Sequence, residues 1–201
     1  VPALTNPSTP SAGNWDFNYS PASNVAPFRV GSSNVYNVPA GNYAIGRLSI
    51  AGGITVNFAS GSNITIASGF ANGGNRATFG DVNLWINGGF NSGSSGVTIG
   101  NGTLHIGSGT VSFAGQNSKG AGDVVINAPV AIGGGSSLTL GAGSHRFQRF
   151  TVSGGGYSVM GPGAFQANTG VEIGGNSELS LGNGDILLGR HSDGNAISLL
   201  G

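Results

Sequence analysis

The chain of 201 residues carries 40 glycines, no cysteine and only 7% charged residues, with 7 basic and 7 acidic side chains that cancel to zero net charge. A neutral balance gives no electrostatic reason to bind nucleic acid or insert at an anionic membrane, since both attract basic surfaces. Without cysteine there is neither a disulfide framework nor a thiolate metal site, and no apolar run reaches the roughly 20 residues that a membrane-spanning helix requires.

So much glycine without a tripeptide period would fit a disordered chain. The 38% hydrophobic content, phased with period two from about residue 35 onward, argues instead for a folded body. Helix is excluded because no window keeps an apolar stripe at helical spacing and glycine interrupts nearly every turn. The chain opens at Val1 with no basic-then-apolar segment, so a processed mature form or a piece of a longer protein is expected.

Residues 1–30 read as a leader and cap. VPALTNPSTPSAG holds three of the eight prolines and reads as extended backbone. In NWDFNYSPASNVAPF, Trp15, Phe17 and Tyr19 alternate with polar residues, so one face of a short strand is aromatic, with Phe28 close behind. Terminal repeats of a solenoid are atypical because they cover an open apolar end. The aromatic stretch is therefore expected to be the amino-terminal cap; the alternative is a platform that stacks on carbohydrate or receives a partner strand.

Residues 31–201 carry the repeat. Val35, Val38, Tyr43, Ile45, Leu48 and Ile50 start a series of inward positions. From Val97 the apolar pairs become regular: Val97/Ile99, Leu104/Ile106, Val111/Phe113, Val124/Ile126, Val130/Ile132, Leu138/Leu140, Phe150/Val152, Tyr157/Val159, Val171/Ile173, Leu179/Leu181 and Ile186/Leu188. Each pair skips one residue, placing both side chains on one face of a strand, and Gly, Asn or Ser bounds each strand. The pairs recur about every 20 residues, as Val111, Val130, Phe150 and Val171 do. Three short strands per coil of about 20 residues, with seven or eight coils, predict an all-β, right-handed, single-stranded parallel β-helix, a β-solenoid. Alternation lapses at 70–77, 87–96 and 114–122, which are expected to be loops thrown out between coils. Nothing resembling a cap follows Ile197 and Leu199, so the solenoid is expected to continue, or to be stacked upon by another chain, at that end.

Chemistry is sparse. Asp16, Asp81, Asp123, Glu172, Glu178, Asp185 and Asp193 are scattered; Glu172, Glu178, Asp185 and Asp193 are the one group that could converge into the pair of carboxylates a glycosidase needs. His145, Arg146 and Arg149 form the densest basic group and are the candidate surface for an acidic sugar or carboxylate; Arg190 and His191 with Asp193 repeat the theme more weakly. His105, between Leu104 and Ile106, points outward. No spacing supports a catalytic triad, a zinc site, a phosphate loop or a calcium-binding repeat, so no catalytic residue, metal or cofactor is assigned. Thr98, Thr103, Thr110, Thr139, Thr151 and Thr169 do not form the repeated Thr-x-Thr motif expected of an ice-binding solenoid.

The repeated units GVTIGNGTLHIGSG, GGGSSLTLGAG and GGNSELSLGNG within 45–200 resemble Gly-rich bacterial surface β-helices. They are similar to the passenger regions of autotransporters and filamentous adhesins, and to β-helix domains linked to pilus systems; bactofilin-like cytoskeletal solenoids share the coil chemistry. The Asn-Pro-Asn-Leu signature of two-partner adhesins is missing, as is the Gly-His-Gly with paired aspartates that resemblance to polygalacturonases would require. The resemblance implies an exported, non-enzymatic structural or adhesive module, a rigid shaft at the cell surface or in a fibre. Its expected partners are other protein chains, by end-to-end or lateral association, and host or cell-surface glycan. A carbohydrate-active or carbohydrate-binding β-helix is the alternative, and an ice-binding solenoid a further one.

Overall fold

The computed structural model describes residues 13–17, 34–73, 75–190, 192 and 194–200. Its strands, in chain order, are β1 (Trp15–Phe17), β2 (Val35–Val38), β3 (Asn42–Ile50), β4 (Thr55–Phe58), β5 (Ser62–Asn72), β6 (Ala77–Phe79), β7 (Val82–Ile86), β8 (Gly89–Asn91), β9 (Val97–Ile99), β10 (Leu104–Ile106) and β11 (Val111–Phe113). There follow β12 (Gln116–Lys119), β13 (Val124–Ile132), β14 (Ser137–Leu140), β15 (His145–Val152), β16 (Tyr157–Met160), β17 (Phe165–Ala167), β18 (Val171–Gly174), β19 (Glu178–Ser180), β20 (Ile186–Leu188) and β21 (Ile197–Leu200). No helix occurs among the described residues. Every pairing is parallel, and the strands stack as a β-solenoid of about 8 turns with roughly 20 residues per turn.

Each coil has three faces. On the first, Ile45, Ile66, Ile86, Ile106, Ile126, Phe147, Ala167 and Leu188 stand in one register column. The second carries Leu48, Phe70, Phe90, Val111, Val130, Phe150, Val171 and Ile197. The third carries Val38, Phe58, Phe79, Ile99, Lys119, Leu140 and Met160. Three short strands per coil is thus refined rather than literal. In β3, β5, β13 and β15 one long strand runs round the corner between first and second faces, so these two faces form a single 13-stranded sheet and the third an 8-stranded one. The corner is turned by a register shift, between Ile45 and Arg47 in β3 and between Ile126 and Pro129 in β13. Pro129 sits at that bend, where its missing N–H costs the ladder little.

The core is a set of side-chain columns at the spacing of the rungs. Phe58 and Phe79 are in register and stack nearly parallel, ring centroids 4.7 Å apart, which is the distance between neighbouring strands. Phe70 stacks on its register partner Phe90 at 5.2 Å, and Phe113, in the neighbouring column, tilts against Phe90 at 5.0 Å. At the amino-terminal end, β1 adds to the edge of β3. Phe17 is fully buried against Tyr36 and Phe58, while Trp15 packs edge-on against Tyr43 and stacks over Phe58.

Three sequence expectations are corrected. Part of each of the segments 70–77, 87–96 and 114–122 belongs to the stack and not to a loop: Phe70–Asn72, Gly89–Asn91 and Gln116–Lys119 are in-register strand, and the connections between strands are confined to stretches such as 92–96 and 114–115. Their apolar alternation lapses because Asn72, Ser92, Asn117 and Lys119 take buried positions and bond to backbone carbonyls there. The phase of β16 is reversed as well. Leu138 pairs with Ser158 and Leu140 with Met160, so Ser158 and Met160 are buried while Tyr157 is 43% exposed. In β2 the inward residue is Tyr36, 1% exposed, and not Val35.

Candidate functional site

The basic group of β15 is split by the alternation of its strand. His145 is inward, 1% exposed, in register between Val124 and Phe165, so it is no part of a ligand surface. Arg146, one residue on, is exposed on the first face beside Val125 and Gln166. Arg149 lies past the corner, where its guanidinium pairs with the carboxylate of Glu172 on β18 and Thr151 donates a further hydrogen bond to that carboxylate. The three side chains therefore point to three different places, because a strand that turns a corner cannot aim residues 145, 146 and 149 at one ligand.

The acidic group is likewise spread. Glu172 is engaged by Arg149 on the second face, Glu178 stands outward on the third face beside Tyr157, and Asp185 lies at the corner before β20. Asp193 and His191 lie outside the described residues, as do Tyr19 and Phe28. Other carboxylates serve the backbone: Asp81 accepts a hydrogen bond from the Asn101 N–H and Asp123 from the Ser144 N–H. Among the described residues no three His, Asp or Glu side chains are grouped so as to hold a metal ion.

The aromatics divide too. Phe17 is fully buried, which removes it from any sugar-contacting surface, and Trp15 is partly buried against the core.

The most unusual chemistry lies inside the solenoid. Lys119 is 3% exposed and donates from Nζ to the carbonyls of Gly120, Ala121 and Gly122 at 3.1, 3.1 and 3.3 Å. Burial holds its amine down at about 8, against the pull of Asp123. Neither ring nitrogen of His145 has a hydrogen-bond partner. Burial lowers the basicity of this ring first and the nearby Lys119 charge lowers it further, while the Gly141 carbonyl and Asp123 oppose them; that carbonyl lies near the ring without meeting hydrogen-bond geometry. Lys119 is not legible as a core residue in the sequence because it lies in the polar, glycine-containing stretch 114–122. The signal was present in the period: Lys119 falls 20 residues after Ile99 and 21 before Leu140.

Two surfaces remain. The outward row of the third face runs Asn37, Asn57, Thr78, Thr98, Ser118, Thr139, Val159 and Ser180, uncharged throughout. Asn57 bonds to Asn37 at 2.9 Å, and on the first face Asn83, Asn63 and Asn42 form a side-chain ladder at 3.0 and 2.8 Å. The second surface is the carboxyl-terminal edge. β19, β20 and β21 each pair on one side only among the described residues. The last rung leaves Ile186 53%, Ile197 52% and Leu199 77% exposed, although Ile186 and Ile197 stand in register with buried Phe165 and Val171. Among the described residues this edge is a row of strands paired on one side only beside exposed apolar side chains, an arrangement that can template another strand.

Searches with protein-family models, among curated proteins and among solved structures find no match for the chain.

Proposed function

We propose that the chain is a non-enzymatic structural module, a rigid shaft in an exported surface protein, adhesin or fibre outside the cell. In this reading its last coil is continued by further β-coil or by another chain stacked end to end. The observation that supports it is the open edge: Ile186, Ile197 and Leu199 extend the core columns yet are half or more exposed. A solenoid is stabilised by nearest-neighbour stacking, so an open rung gains from any strand that covers it. The uncharged Asn, Ser and Thr rows and the paired carboxylates suit a shaft better than a reaction centre.

The test is sedimentation velocity with electron microscopy of the purified chain, alongside the Leu199→Lys and Ile197→Lys variants. End-to-end association that these edge charges abolish is expected. A wild-type chain that stays monodisperse at high concentration, with the amides of β20 and β21 protected from hydrogen exchange, would contradict the proposal.

One observation favours a second reading. Thr78, Thr98, Ser118 and Thr139 are in register on consecutive rungs, so hydroxyls repeat at about 4.8 Å along one sheet. That regularity suits an ice-binding face. Inhibition of ice recrystallisation, lost in Thr98→Lys, is its expected signature; absence of inhibition in the wild type removes it.

A further inference from the structure

The corner between the second and third faces is cut short in one coil. The connection from β8 to β9 takes five residues (92–96) and that from β13 to β14 takes four (133–136), but β11 reaches β12 through Ala114 and Gly115 alone. Beside this shorter turn is an open notch of about 720 Å³ whose lining includes Ser94 and Ser95 from the coil before, Gly115 and Gln116, and Gly134 and Gly135 from the coil after.

The recess is held by buried side chains from three coils. Ser92 Oγ accepts from the Ala114 N–H at 2.9 Å and donates to the Ala114 carbonyl at 2.8 Å. Asn117 Nδ2 donates to the carbonyls of Ala114, Gly115 and Ser137, while its Oδ1 accepts from the Val97 N–H at 3.0 Å. Ser136 Oγ accepts from the Gly115 N–H at 3.0 Å. Ser92, Asn117 and Ser136 are 0%, 3% and 6% exposed. Every backbone group of the two-residue turn thus has a protein partner, so the notch is formed before anything enters it and binding need not order its floor.

A second feature points the same way. Gln116 stands in register with Ser137, and Ser137 with Tyr157. Tyr157 is 43% exposed, an aromatic ring presented outward two rungs from the notch, about 10 Å away at the usual strand spacing. None of the residues lining the notch is charged. Serine hydroxyls and the glutamine amide both donate and accept, which matches vicinal hydroxyls; a phosphate or carboxylate would call for arginine or lysine. Beyond Tyr157 the row ends at Glu178, whose carboxylate repels acidic sugars. An aromatic ring at one end and uncharged hydrogen-bonding groups at the other fit a short run of neutral sugar rings, one stacked on Tyr157 and the next hydrogen-bonded in the notch.

We infer that the outward surface from the 114–115 notch along the register row Gln116, Ser137 and Tyr157 is a binding site for neutral oligosaccharide. The site lies on the flank of the solenoid and does not depend on whether the terminal edge is covered.

The experiment is titration of the ¹⁵N-labelled chain with cellohexaose and chitohexaose, and with oligogalacturonate as an anionic comparator, in the wild type and in Gln116→Ala and Tyr157→Ala. Both replaced side chains are exposed, so folding is retained and is verified from the amide spectrum. The expected result is that at least one neutral probe shifts the amides of Gly115, Gln116 and Gly134 together with Tyr157, and binds about tenfold more weakly to Tyr157→Ala. No shift at the notch with either neutral probe at millimolar concentration overturns the assignment. Shifts confined to Tyr157, or tighter binding of oligogalacturonate, overturn it equally.

Discussion

Lys119 occupies the inward position that Ile99 holds one coil earlier, so a primary amine stands in a core column with Leu140 as its next neighbour. Burial is the main cause of its lowered affinity for a proton, to about 8 from the ordinary 10.5. Between those two values the unfolded chain holds a proton that the native state has released, so stability rises with pH across that window. Below about pH 8 both states are charged and the native state carries the full burial cost. Thermal melts followed by circular dichroism are expected to show a rise in Tm from pH 8 to 10.5 that the Lys119→Met variant lacks.

His145 acts at the other end of the pH scale. Its folded-state basicity is lowered, by burial first and by Lys119 second, so as pH falls below the ordinary 6.5 the unfolded chain takes up a proton that the native ring refuses. The stability contributed is present above that pH and lost below it. His145→Leu removes two unpartnered ring nitrogens and fills the column between Val124 and Phe165 with an aliphatic group. The variant is expected to be at least as stable as wild type at pH 7. The difference in Tm between the two should grow in its favour from pH 7 to pH 5; a difference that does not change with pH would refute the account.

Asn117 is the fastening of the short turn. Asn117→Leu keeps the side-chain volume but strands the Val97 N–H, for which Asn117 Oδ1 is the acceptor, and weakens the hold on the 114 and 115 carbonyls. Leaving a buried donor unpaired costs about 1–3 kcal/mol, and a lowered urea midpoint of that size is expected. Asn117→Asp retains the acceptor but turns a carboxylate toward three carbonyl oxygens, so it is expected to be the more damaging of the two.

Two glycines with similar backbone angles separate close approach from conformational strain. Gly96 has φ +77° and a Cβ there would fall on the backbone of Gln116 one coil away, whereas Gly134 has φ +60° and faces open space. Gly134→Ala is expected to cost only the left-handed penalty of about 1–2 kcal/mol. Gly96→Ala must also push two coils apart and should cost clearly more, by the same urea measurement.

The strands and the coil were legible because both rest on apolar spacing. Val111, Val130, Phe150 and Val171 were assigned to one column from their period, and they stand in register. A run of alternating side chains with a repeat near 20 residues has few ways to bury itself other than by stacking.

Three things were decided only in the folded chain. One is phase: in Tyr157–Met160 the apolar pair by sequence is Tyr157/Val159, and a one-residue slip exchanges the two faces. Pairing with Leu138 and Leu140 settled it in favour of Ser158 and Met160. Another is the identity of the polar core, since Asn117 and Lys119 read as loop residues until neighbouring carbonyls satisfy them. The last is the aim of the basic group, because the corner turned within β15 sends His145 inward, Arg146 outward and Arg149 to Glu172. Periodicity is a local property of the chain. Register, hydrogen-bond satisfaction and the direction of a side chain at a bend belong to the coils above and below.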